Sequence, residues 1–302
     1  MKLGIGIITY NRKNRVLATL KALLSQTTTP AVFVVADDGS TDGTPDAVRW
    51  THDDVAVVSG ENRGVCWNRN RALWYLHVVS RCDVTILIED DTWPTQPGWE
   101  RDWIDAAQAW GHANLDGAWF RDGSVGGSGT LRDPTIGQAT SGQCSAFSRE
   151  ALDLVGFYET RFRGHGSGHV EHTQRMIRAG FGGSMRDPIP ESHDVFQRSA
   201  ALVRVPPAPP RVFYWLLRSP LHVDDEDSHR TPGSAHKAQM MLARTVRDTA
   251  HRMPWRTDID MAAFRAEIDA ARRYNGVGQS QVSRVRAPVP STSRVSAERL
   301  AG

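Results

Sequence analysis

The sequence predicts an α/β fold with a mostly parallel central sheet covered by helices on both faces, followed by a C-terminal helical extension. Three observations carry that prediction. Short runs that are apolar throughout recur along residues 1–120, stretches with apolar residues at helical spacing separate them, and polar residues gather directly after the runs.

Lys2–Ile8 is a short β-branched run and reads as the first strand. Val16, Leu17, Leu20, Leu23 and Leu24 then follow helical spacing, with Asn11 or Asn14 available as a cap. Ala31–Ala36 is a second buried strand, and Thr44-Pro45 opens a helix with Thr44 as its N-cap. Val55–Val58 is a third strand, Gly64–Val79 a helix, and Asp83–Ile88 a fourth strand. Gly98–Trp110 is a helix whose Trp99, Trp103 and Trp110 share a face, which favours core packing. Asp116–Phe120 reads as a further strand. In sheets of this kind ligands sit beyond the C-terminal strand ends.

The 302 residues, 40% hydrophobic and 23% charged, have the balance of a globular chain. Cys66, Cys82 and Cys144 are too few and too scattered for a disulfide framework or a zinc ribbon, which points to a reducing, cytoplasmic compartment. The apolar start is too short for a signal-peptide core, and no stretch approaches a transmembrane span. The net charge of +2 conceals an asymmetry. Residues 196–302 carry 17 Lys/Arg against 10 Asp/Glu, a balance of +7 that leaves −5 for residues 1–195. A basic C-terminal third suits an acidic acceptor, an anionic membrane surface or nucleic acid, and equally a solvated Arg-rich helical face.

Polar clusters stand at three strand ends: Thr9-Tyr10-Asn11-Arg12, Asp37-Asp38-Gly39-Ser40-Thr41-Asp42-Gly43 and Glu89-Asp90-Asp91. Facing carboxylates repel one another unless a cation lies between them. A hard divalent ion, Mn²⁺ or Mg²⁺, accepts few protein carboxylates and leaves positions for phosphate oxygens.

With Glu61-Asn62-Arg63-Gly64 and Asn68-Arg69-Asn70 between the second and third clusters, these motifs resemble, over residues 3–195, the inverting glycosyltransferases of family 2 with the GT-A fold. The resemblance implies a nucleotide-sugar donor, most commonly UDP-linked, held by Thr9, Tyr10, Asn11, Asp38, Arg69, Glu89 and Asp90. Tyr10 lies against the base in that scheme, Asp38 accepts a hydrogen bond from it, and Arg69 stands near base or phosphate. Asp91 is the implied metal ligand, joined by His193 in Glu191-Ser192-His193-Asp194. The family's general base lies on a Gly-rich loop entering a helix, here Phe162–Thr173, where its usual acidic pair falls on Gly168 and His169. Imidazole can take a proton near neutral pH, so His169 is the expected base, with Glu171 as the alternative or as its orienting partner.

Other readings of the same residues are weaker. Asp38–Gly43 resembles an EF-hand loop, yet Arg49 falls where its closing Glu belongs. Gly4 and Gly6 lie inside a strand rather than after it, which suits packing better than dinucleotide binding. His165, His169 and His172 lack the HExxH order of a zinc hydrolase. A nucleotidyltransferase, or a catalytically inactive binding module on the same sheet, remains the alternative function.

Residues 1–195 are expected to form the catalytic domain, 196–275 a helical extension and 276–302 a disordered basic tail. Within the extension, Val205–Pro210 reads as an extended spacer, Val212–Leu217 as an apolar patch and Asp224–Asp227 as an acidic loop. His236–Met253 and Asp258–Tyr274 read as helices. The acceptor is left open among a glycan, a lipid carrier, a protein and a modified nucleic acid.

Overall fold

The computed structural model describes residues 1–117, 124–162, 168–186 and 211–224. The spacer 205–210, residues 225–227 of the acidic loop, the helices expected at 236–253 and 258–274 and the tail lie outside the described residues.

Strand β1 (Leu3–Thr9) is buried along its whole length, as a strand covered on both faces must be. It pairs in parallel with β2 (Ala31–Asp37) on one side and β4 (Val84–Glu89) on the other, and β2 pairs in parallel with β3 (Ala56–Ser59). Leu3, Ile5 and Ile7 pack in one core with Val16, Leu20 and Leu23 of helix α1 (Lys13–Gln26). Val48 of α2 (Thr44–Thr51) and Trp99, Trp103 and Trp110 at α4 (Glu100–Trp110) join the same core, so the tryptophan face packs inward. Ile8 belongs to the core on the opposite face, with α3 (Val65–Leu73) and the residues following it. There a β-carbon on Gly4 would stand 2.8 Å from Cys82 Sγ and one on Gly6 2.9 Å from the Ala72 β-carbon. The two glycines let the helix lie directly on the strand.

Several elements depart in detail from the expectations. Thr44 is the first residue of α2 rather than its cap. Gly43, at φ 82°, takes the cap position, while Asp42 Oδ1 accepts from the Thr44 amide at 3.0 Å. The helix expected over 64–79 is α-helical only to Leu73 and widens to a π-helix over Trp74–Val79, where the Ser80 amide donates to the Tyr75 carbonyl five residues back. Of the strand expected at Asp116–Phe120, Asp116 and Gly117 are not in a strand and residues 118–120 lie outside the described residues; β6 (His112–Leu115) stands just before them. Its polar His112 and Asn114 are buried and bonded to each other, which hides it from a hydrophobic pattern.

Beyond β4 the sheet becomes mixed. β9 (Cys144–Ser148) runs antiparallel to both β4 and β6 and leads into α5 (Arg149–Val155). β11 (Arg211–Leu217) pairs in parallel with β6 and antiparallel with β8 (Thr135–Gly137), which in turn pairs with β7 (Ser124–Gly126). β10 (Gly183–Arg186), which follows α6 (Gly168–Arg178), also pairs with β11. The central sheet thus continues past residue 195, and the patch at 212–217 is one of its inner strands. A separate two-stranded sheet joins β5 (Thr92–Pro94) to β12 (Leu221–Val223). Among the described residues no helix is long and apolar enough to cross a membrane, and the three cysteines are buried and free.

Candidate active site

β1, β2 and β4 end side by side, with Thr9 opposite Asp37 and Ile8 opposite Glu89. Thr9 knits these ends together. Its carbonyl accepts from the Asp38 amide and from Asn68 Nδ2, both at 3.1 Å, and its Oγ1 donates to Asp90 Oδ2 at 2.6 Å. The polar clusters after the three strands therefore share one sheet edge, where an open α/β sheet places its ligands.

The second cluster is a braced loop. Asp37 is buried, its Oδ2 accepting from the Gly39 and Ser40 amides and from Ser59 Oγ. Asn11, in the left-handed region at φ 52°, accepts from the Thr41 amide at 2.8 Å, and its own amide donates to Ser40 Oγ at 2.7 Å. Tyr10 stands beside it, 47% exposed. Asp38 accepts from the amides of Arg63 and Gly64 at 3.0 and 2.8 Å and from Arg71 Nη1 at 2.7 Å. Arg71 has no place in the sequence reading, which singled out Arg69. The two share the run Asn68-Arg69-Asn70-Arg71, but residues two apart on a helix point to different sides. Arg71 accordingly faces Asp38, whereas Arg69 faces Glu89.

The third cluster surrounds Arg12. Its Nη1 lies 3.1 Å from Asp90 Oδ1 and 3.0 Å from Asp91 Oδ2. Burial pushes the Asp90 carboxyl up to about 7, against the pull of Thr9 and Arg12. Asp91 is held through its main chain, its carbonyl accepting from the Asp224 amide at 2.8 Å at the end of β12. Arg15 pairs with the Asp224 carboxylate at 2.9 Å, and Trp93 and His222 lie ring against ring at 4.5 Å. Among the described residues no three His, Cys, Asp or Glu side chains converge as a metal site. Asp90 and Asp91 do converge on one positive nitrogen. Two hard oxygens of this kind suit Mg²⁺ or Mn²⁺, with phosphate oxygens filling the remaining positions. The residues present fit the implied ion. His193 lies outside the described residues.

On the far side of Glu89 is Arg69, buried, bonded to Glu89 Oε1, donating to the Gly142 carbonyl at 2.9 Å and lying 5.3 Å from the Tyr158 ring centre. Burial raises the Glu89 carboxyl above its ordinary range while Arg69 opposes the rise. A β-carbon on Gly142 would overlap the Arg69 guanidinium, so a side chain there would push the guanidinium aside. Two residues earlier, the Thr140 carbonyl lies 3.0 Å from His169 Nε2. A carbonyl only accepts, so Nε2 carries the proton and Nδ1 keeps a free lone pair. Burial, then Arg69, press the imidazole down to about 4.

Glu171 does not fit the role of base or of partner to His169. It is fully buried, and both its oxygens are bound by Arg175, at 2.7 Å to Nε and 2.9 Å to Nη2. Arg175 in turn donates to the carbonyls of Val155 and Phe157, so the pair ties α6 to the end of α5. His172 is also structural, buried against Tyr158 with ring centres 4.2 Å apart and Nε2 2.9 Å from the Gly156 carbonyl. His165 lies outside the described residues.

The chain belongs to glycosyl transferase family 2, whose model matches residues 5–180. Among curated proteins none matches it. Solved structures similar to it include a mannosyltransferase from Pyrobaculum calidifontis in complex with GDP-Man and Mn²⁺, at 21% identity and a TM-score of 0.48, covering 60% of this chain and 53% of that one. TarS 1-349 of S. aureus is 17% identical with a TM-score of 0.44, covering 58% and 55%. GalNAc-T7 with UDP, GalNAc and Mn²⁺ is 13% identical with a TM-score of 0.45, covering 60% and 41%. The chain spans about half the length of the first two.

Proposed function

We propose that this glycosyltransferase is metal-dependent and inverting, moving a sugar from a nucleotide diphosphate donor, UDP-linked in the first instance, to an acceptor hydroxyl. The observation that carries the reading is the meeting of Thr9, Arg12, Asp90 and Asp91 at one strand edge, with Glu89, Arg69 and His169 alongside. Tyr10, Asn11 and Asp38 border the nucleotide. Asp91, with Asp90 and with His193 from beyond the described residues, would hold a divalent ion that offsets the charge of the departing diphosphate.

His169 is the proposed base. Its Nε2–H is engaged by the Thr140 carbonyl, which leaves Nδ1 to take the acceptor proton as the acceptor oxygen bonds to the anomeric carbon and the bond to the diphosphate breaks. The carbonyl also steadies the imidazolium so formed. The depressed proton affinity keeps His169 neutral in the free enzyme, and the negative donor arriving beside it raises that affinity when it is needed. Arg69, bound to Glu89 and Gly142, sets the spacing between the carboxylate cluster and the base.

The test is a screen of nucleotide sugars for Mn²⁺-dependent thermal stabilisation and slow donor hydrolysis, with Asp91→Ala as control. A response selective for one nucleotide sugar and lost in the variant supports the reading. Equal response of variant and parent rejects it. An inactive binding module would bind the donor without ever hydrolysing it.

A further inference from the structure

The structure contains two kinds of arginine–carboxylate pair, and the difference assigns a role to Arg12. Arg175 grips Glu171 through two nitrogens with both side chains fully buried, a fork geometry that is a permanent part of the interior. Arg12 instead offers one nitrogen, Nη1, to two different carboxylates, with its side chain 30% exposed and that of Asp91 17% exposed. A single nitrogen shared between the buried Asp90 and the partly exposed Asp91 is a more replaceable attachment than a two-nitrogen fork in the interior. Its location is nevertheless fixed: Asn11, pinned to Ser40 and Thr41 in its left-handed conformation, sets where Arg12 leaves the chain at the start of α1.

Asp90 and Asp91 are consecutive carboxylates turned toward one point, and such a pair needs a positive charge between them. We propose that Arg12 is the resident counter-ion of that pair, a positioning residue that keeps the two carboxylates facing each other until a divalent ion arriving with the donor displaces it. A divalent ion held by Asp90 and Asp91 would have to displace the guanidinium from them, so it would bind more weakly with Arg12 in place than without it. Once displaced, Arg12 would remain at the same strand edge, since Asn11 fixes where it leaves the chain. This rests on the metal-dependent reading above.

Mn²⁺ alone is the probe, titrated into the parent, Arg12→Gln, Arg12→Lys and Asp91→Asn and followed by loss of the free-ion electron paramagnetic resonance signal, with no donor or turnover required. Arg12→Gln is expected to bind Mn²⁺ about tenfold more tightly than the parent, since it removes a unit charge some 3 Å from both ligands. Arg12→Lys, which keeps the charge, stays near the parent. As a second measurement, Mn²⁺ raises the melting temperature of Arg12→Gln more than that of the parent, which reads the same competition even where the variant is less stable without metal. Equal Mn²⁺ affinity in Arg12→Gln and parent, with Asp91→Asn abolishing both, overturns the counter-ion role and leaves metal dependence standing. Binding indifferent to Asp91 in either background rejects metal dependence and the counter-ion role together.

Discussion

Gly168 lies so close to Cys66 that a β-carbon at position 168 would overlap the Cys66 Sγ. An acidic side chain at 168 has no room in this interior. The resemblance places one of the family's acidic pair there, and the packing explains why this chain carries glycine. Gly168→Ala is expected to cost about 1–3 kcal/mol in urea unfolding, as overpacking does. Cys66→Ala in the same chain should recover much of that loss. Purely additive effects of the two substitutions would show that the collision is not the cause.

Glu171 and Arg175 give the second prediction. Glu171→Gln leaves the buried Arg175 charge without a carboxylate opposite it, for which about 3–5 kcal/mol of lost stability is expected. Turnover per folded molecule should remain within a small factor of the parent. A variant that folds normally and has lost transfer would return Glu171 to the role of base.

His169→Ala is expected to keep donor binding, read by the thermal shift, and to lose transfer by about 100-fold or more. The pH profile separates base from bystander further. Because burial and Arg69 hold the free-enzyme pKa near 4, the limb of kcat/KM that belongs to His169 should lie near 4. A limb near 7 that disappears in Asp90→Asn belongs to Asp90, whereas one that survives that substitution would mean that the base is a different, solvated histidine.

His112 makes stability depend on pH. Its Nδ1 lies 2.9 Å from the Ala146 carbonyl and its Nε2 3.1 Å from Thr173 Oγ1, and burial holds its pKa down to about 4 from an ordinary 6.5. The unfolded chain takes up the proton first as pH falls. The stabilisation is therefore complete above about 6.5 and is lost progressively toward 4, on the order of 3 kcal/mol in all. His172 is depressed in the same direction and steepens the slope. Urea unfolding of the parent and of His112→Asn across that range checks it, since the raised Asp90 carboxyl acts in the opposite direction: the same pH slope in both chains would mean that His112 takes up its proton equally in the folded and unfolded states.

The first half of the fold was legible because β1, β2 and β4 are apolar end to end and their polar residues begin where the strands stop. β6 has no signature in the sequence because its buried side chains His112 and Asn114 are polar and bond to each other, so no hydrophobic period marks it. β11 was read only as a patch: a run such as Val212–Leu217 announces burial but not its partner, and its partners lie about 100 residues and about 80 residues earlier. Within the site, Thr9, Asp38, Glu89, Asp90 and Asp91 could be gathered from strand ends alone. Arg71 and the single nitrogen of Arg12 between two carboxylates could not, because side-chain direction on a helix or after a left-handed residue has no signature in the order of letters. Glu171 looked available for the same reason. Only its spacing of four from Arg175 hinted at an internal pair.

β11 has a consequence for biosynthesis. It lies between β6 and β8, yet among the described residues it is the last strand of the central sheet to leave the ribosome. Until it emerges, those two strands face each other across a gap with raw hydrogen-bonding edges, ready to capture a strand from a neighbouring nascent chain. Polypeptides interrupted before residue 211 would carry most of the donor-binding motifs and still be prone to clump.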